Sequence, residues 1–263
     1  MKFRPILIRV RSAFISGTLP LTLVAVLPTA AQAANFSRMY VFGDSLSDTG
    51  NSLAITTAAN AINPLIPVIP PGAVGYFNGR FSNGSIWLDE LADRLELSLP
   101  PISTIAGGSS PTGVNLAINS ATTGEQNTFP LPLPGFVGVQ QQLAQFATAN
   151  ATADPNALYV LWAGANDYLG AQVTNPAEPV ANLSNAVQDL YSLGARNFLV
   201  ANLPALGVTP LAQSRGSTVP RAWLTRLCLI RHPILLPSVA IQTNIFSGTI
   251  FIPPVQPIGQ LEI

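Results

Sequence analysis

Ser45 directly follows Gly43-Asp44, at the point where the apolar run Tyr40-Val41-Phe42 ends. A strand ending there presents a hydroxyl on a sharp turn, at the edge of an open α/β sheet where ligands bind. A second apolar run, Ala157 to Ala163, ends in Gly164-Ala165-Asn166-Asp167 and brings an amide and a carboxyl to the same kind of edge. The plainer reading of these residues is that Ser45 caps a helix and Asn166-Asp167 form an ordinary turn. His232 is the only histidine and Cys228 the only cysteine. An intrachain disulfide is therefore impossible, and no acidic or basic motif around Cys228 marks it as a nucleophile. Gly-x-Ser-x-Gly, His-Glu-x-x-His, a Walker loop and Cys/His clusters are all missing.

The elements that must position these groups follow from the apolar periodicity. Residues 38–42 form the first expected strand, with a helix or turn opening from Ser45. Residues 56–75, rich in Ala, Ile, Pro and Gly, read as a loop beside the edge where Ser45 lies. Tyr76 to Gly84 is turn-like, and Ser85 is placed to cap a helix over 86–97. Residues 100–112 read as loop and Val114 to Ile118 as a short buried strand. A helix over 137–149, a strand over 157–163, a helix over 179–193 capped by Gly194, and a strand over 197–201 closed by Pro204 complete the pattern. Strands alternating with helices predict a parallel sheet with right-handed crossovers.

Residues 38–51, Arg-Met-Tyr-Val-Phe-Gly-Asp-Ser-Leu-Ser-Asp-Thr-Gly-Asn, resemble block I of the GDSL, or SGNH, family of serine ester hydrolases. Gly164-Ala165-Asn166-Asp167 resembles block III. Asn115-Leu116-Ala117-Ile118-Asn119-Ser120-Ala121 is similar to block II, with Asn119 and Ser120 in place of two glycines. Gly79 to Gly84 followed by Trp87 to Ala92, and Leu193 to Phe198 followed by Asn202-Leu203-Pro204, also fit the family pattern. The resemblance covers about residues 37–215. It implies an α/β fold: a parallel flavodoxin-like sheet flanked by helices. It implies Ser45 as nucleophile, and the backbone N–H groups of Ser45 and Ser120 with the Asn166 amide as oxyanion donors. If the turn needs a positive φ, Ser120 is strained there, and Asn119 would tolerate such a conformation better. Gly43, Asp44 and Gly164 are expected to shape the site. Asp44 adjoins Ser45 in one tight turn, so it is read as an acceptor for backbone N–H groups rather than as a triad acid.

A serine needs a base to take its proton. The family supplies a histidine from a late Asp-x-x-His, whose acid orients the ring. Here His232 precedes Pro233, but Leu229 stands three residues before it. His232 is the one candidate base and departs from the family pattern. Residues 216–263 also change in composition, with Arg221, Arg226 and Arg231, no lysine, and prolines at 220, 233, 237, 253, 254 and 257. They are read as a divergent or frameshifted tail behind a hydrolase domain at 34–215.

Residues 1–33 read as a signal peptide: Lys2, Arg4, Arg9 and Arg11, a mostly apolar Ala13 to Leu27, and the cleavage site Ala31-Gln32-Ala33. This predicts a secreted or periplasmic protein with no stable membrane insertion after cleavage. Net charge is zero, and Lys2 is the only lysine. A nucleic-acid partner is therefore not expected. No cofactor or metal is implied, and oligomeric state has no signature in the sequence. The expected partner is a small-molecule ester, hydrolysed through an acyl-serine intermediate. The alternatives are an inactive remnant of such an enzyme and an exported protein that binds acyl or glycan ligands.

Overall fold

The computed structural model describes residues 36–72, 75–101 and 113–214, together with the backbone of 227–231. The expected signal peptide, His232 and most of the expected tail lie outside the described residues.

Among the described residues, five strands form one sheet: β1 (Met39–Gly43), β2 (Gly113–Asn115), β3 (Leu158–Trp162), β4 (Asn197–Ala201) and β5 (Leu227–Arg231). Their order is β2-β1-β3-β4-β5. The first four pair in parallel, as expected. β5 pairs antiparallel with β4, Ala201 opposite Leu227, so the sheet departs from the all-parallel expectation at that edge. The chain leaves β1 towards β2 and later returns on β1's other side as β3. This reversal is the switch point where open α/β sheets bind ligands.

Alternation along β1 sorts its side chains to two faces. Met39 and Val41 join Leu158, Val160 and Leu199 in a core covered by Leu88, Leu91 and Ala92 of α2 (Trp87–Arg94). Tyr40 and Phe42 join Tyr159, Leu161 and Phe198 in the opposite core. That core is covered by Val139, Leu143 and Phe146 of α3 (Val139–Ala149) and by Ala186 and Leu190 of α5 (Ala177–Leu193). Both faces being covered explains why the strands read as continuous apolar runs.

Several elements differ from expectation. The segment expected as loop from residue 56 begins inside a helix, α1 (Asn51–Ile62), and its loop starts only at Asn63. Ser85 does not cap α2; Ile86 is the N-cap, and the Asp89 carboxylate accepts its N–H at 2.8 Å. α2 ends at Arg94 rather than residue 97. β2 ends at Asn115, although Leu116 and Ile118 still donate to Val41 and Gly43 carbonyls at 2.8 and 3.1 Å.

Candidate active site

Gly43 and Trp162 are register partners at the ends of β1 and β3. A Cβ on residue 43 would lie 2.4 Å from the Trp162 carbonyl oxygen, so only glycine fits at this approach. The chain then turns through Asp44 and Ser45. Asp44 Oδ1 accepts the Leu46 N–H at 3.0 Å and Ser47 N–H reaches the Asp44 carbonyl at 3.0 Å. Asp44 thus holds the turn through one side-chain contact. Ser45 is half-buried, and Trp87 Nε1 donates to the next residue's carbonyl, Leu46 O, at 3.0 Å.

A residue missed in the sequence does more of this work. Buried Asp48 accepts from Gly50 N, Asn51 N, Ser52 N and Ser52 Oγ at 2.5–3.1 Å, anchoring the start of α1. Its Oδ2 also accepts Asn119 N–H at 3.2 Å, and Ser52 Oγ accepts the same N–H at 3.0 Å. The loop that carries Ser45 is thereby fastened to the turn that carries Ser120. Two buried amides tighten the join. Asn51 Nδ2 donates to the carbonyls of Asn115 and Ala117 at 2.9 and 2.8 Å. Asn115 Nδ2 donates to Ser47 O and Thr49 Oγ1 at 2.7 and 2.8 Å. Arg80 adds a link from α2, binding Asp89 through two nitrogens and the Thr49 carbonyl at 3.1 Å.

Ser120 has φ +64°, the left-handed conformation in which a glycine is easier. The positive φ falls on Ser120 and not on Asn119. Its carbonyl accepts from Thr128 N at 2.9 Å, while its N–H bonds to no described residue. The N–H of Ser45 is likewise uncommitted among the described residues.

Gly164 has φ +127° and leads into the short helix α4 (Ala165–Leu169). There Asn166 Nδ2 donates to Ala121 O at 2.9 Å and lies 3.5 Å from Asp44 Oδ2. Asn166 therefore touches the residue after Ser120 and the residue before Ser45, and so links the two turns. Asp167 accepts Thr123 N–H and Oγ–H at 2.9 and 2.5 Å, fixing α4 against the segment after Ser120.

The site is electrostatically unusual. Asp44 is buried, and burial pushes its carboxyl up to about 7. The Leu46 N–H opposes that rise, and the Asp167 and Asp48 charges add to it. Burial also raises Asp48 and Asp167, each against the pull of its own hydrogen bonds. An apolar cavity of about 360 Å³ lies elsewhere, along Ala54, Ile55 and Ala58 of α1, and neither Ser45, Ser120 nor Asn166 lines it.

A family model described as GDSL-like Lipase/Acylhydrolase matches residues 39–235. The chain is 33% identical over 199 residues to a phosphatidylcholine-sterol acyltransferase of Aeromonas hydrophila, covering 74% of this chain and 53% of that protein. It is 31% identical over 222 residues to a GDSL esterase/lipase of Arabidopsis thaliana, covering 74% and 55%. The chain thus spans about half the length of these curated relatives. The match takes in the serine turn, the Ser120 turn and the Asn166 helix, and the chain belongs to the GDSL-like lipase/acylhydrolase family.

Proposed function

We propose that this chain is a hydrolase of carboxylic esters working through an acyl-serine intermediate. Ser45 Oγ bonds to the acyl carbon, and its proton passes to a base and then to the departing alcohol oxygen as the ester C–O bond breaks. Water then attacks the acyl-serine, releasing the acid and restoring Ser45. The observation that carries the reading is that Ser45 N–H and Ser120 N–H are left uncommitted among the described residues while the Asn166 amide joins their two turns. The family resemblance assigns these three groups as donors to the oxygen on which acyl transfer builds charge, and the Asn166 amide would give up its 3.5 Å contact with Asp44 Oδ2 to serve as one.

A fluorophosphonate is expected to label Ser45 in the wild-type chain and to leave Ser45→Ala unlabelled. Turnover of a short p-nitrophenyl ester should vanish in the same variant. Labelling that survives in Ser45→Ala overturns the reading. A second reading, a catalytically inactive remnant of such an enzyme, is favoured by Leu229 standing where the family has an acid. A folded wild-type chain that shows neither labelling nor turnover is its signature, whereas turnover lost on His232→Ala assigns His232 as the base. The pattern of residues 1–33 supports export, and mass spectrometry of exported protein should find Ala34 at its start.

A further inference from the structure

From Thr49 to Gly79 the chain carries no charged residue. The centre of this stretch is Ala61-Ile62-Asn63-Pro64-Leu65-Ile66-Pro67-Val68. Ile62 is 88% exposed and Leu65 89% exposed, far above any other large apolar side chain described. Tyr76 and Phe77, in the same uncharged stretch, are also exposed.

The polar groups of this tip point the other way. Asn60 Nδ2 donates to Ile66 O at 2.7 Å and Pro64 O at 3.3 Å. Asn63 Oδ1 accepts Leu65 N–H at 3.1 Å, and Thr56 Oγ1 accepts Ile69 N–H at 3.0 Å. The backbone is held from within while the apolar side chains project. The tip also has a defined place. Ile55 and Ile69 pack on Ile118 and Ala121, the residues that flank the Ser120 turn.

An uncharged tip that bonds part of its own backbone from within and exposes Ile62 and Leu65 almost fully suits hydrocarbon, which makes no hydrogen bonds. No helix among the described residues is long and apolar enough to cross a membrane, so contact would be with the surface. We propose that the Ile62–Val68 tip inserts into the surface of an electrically neutral lipid assembly and seats the Ser45 end of the sheet against it.

The test labels the full chain, in a Cys228→Ser background, with an environment-sensitive nitrobenzoxadiazole at Leu65→Cys. The same label at Val208→Cys serves as the comparison. Vesicles of a zwitterionic phospholipid should shift the position-65 emission to the blue, insensitive to added salt, and leave position 208 unchanged. Ile62→Asp with Leu65→Asp should weaken vesicle partition by about a hundredfold, as the loss of two apolar insertions implies. Both side chains are exposed, so folding should be retained. No shift at position 65, equal shifts at both positions, or a shift that grows with protein concentration without vesicles would each overturn the proposal. The last would indicate self-association instead. Binding is read without turnover, so its failure leaves the ester-hydrolysis reading standing.

Discussion

Gly43 and Gln142 exchange two hydrogen bonds: Gly43 N–H donates to Gln142 Oε1 at 2.8 Å, and Gln142 Nε2 donates to Gly43 O at 2.9 Å. In a parallel strand the N–H and C=O of one residue face the same neighbour. β2 leaves the ladder at Asn115, so Gly43 N–H has no strand acceptor there. The fully buried Gln142 amide takes the place of the missing strand and sets the end of β1, two residues before Ser45.

Gln142→Leu should therefore do more than remove a contact. It leaves a buried N–H without an acceptor, a cost of about 1–3 kcal/mol. Calorimetry should show a Tm lower by roughly 3–10 °C for a chain of this size. Fluorophosphonate labelling of Ser45 should slow in the folded variant. An unchanged Tm would mean that Gly43 is held by other groups.

Ser120→Gly should stabilise the protein. The left-handed conformation costs a non-glycine residue about 1–3 kcal/mol. Glycine gives back roughly 0.4–1 kcal/mol through a freer unfolded chain. A net gain of about 1 kcal/mol should appear in urea unfolding, with Ser45 labelling retained because glycine keeps the N–H. Ser120→Val, β-branched at the same φ, should destabilise.

Asn166→Ala should lower the rate of Ser45 acylation by about 10²–10³ if its amide is an oxyanion donor. Substrate affinity should change little, because the donor acts on charge that develops later. Asn166→Asp should be at least as damaging. It replaces the donor with an acceptor 3.5 Å from Asp44 Oδ2 and beside Asp167. Stopped-flow acylation separates rate from affinity in both variants.

Asp44 should make stability fall as pH rises. An unfolded aspartate ionises near ~3.9. The folded group keeps its proton up to about 7, so the native state binds more protons between these values. Its stabilisation is complete below the lower value and is lost as pH rises through the higher one. Denaturation measured from acid to neutral pH should show this slope, and Asp44→Asn should flatten it. Asp48 and Asp167 shift in the same direction, so part of the slope should remain.

Local pattern was enough for β1, β3 and β4 and for helices α3 and α5, whereas β5 falls in the segment read as a divergent or frameshifted tail. The strand at 197–201 and the helix ending at Leu193 stand at the expected residues, because each buries a continuous apolar run or a single stripe. The motifs around Ser45 and Asn166 were legible for the same reason: each follows directly on such a strand. Helix α1 was hidden because Ala, Thr and Asn show weak periodicity and the nearby prolines read as loop. Asp89 rather than Ser85 holds the start of α2, because both are polar neighbours of that terminus and only the folded geometry decides which reaches the Ile86 N–H.

What only the tertiary structure decided is how separate segments share one site. Gln142 looks like a surface residue in a glutamine run, and it is buried because a strand more than ninety residues earlier lacks an acceptor. Asp48 belongs to the motif, yet its hold on Asn119 joins groups that sequence leaves far apart. The left-handed Ser120 and the Asn166 bridge between Ala121 and Asp44 are of the same kind. Apolar periodicity is set by neighbours within a few residues and is written locally. Hydrogen-bond partners are chosen by which groups burial brings together, and that is settled only when the sheet assembles.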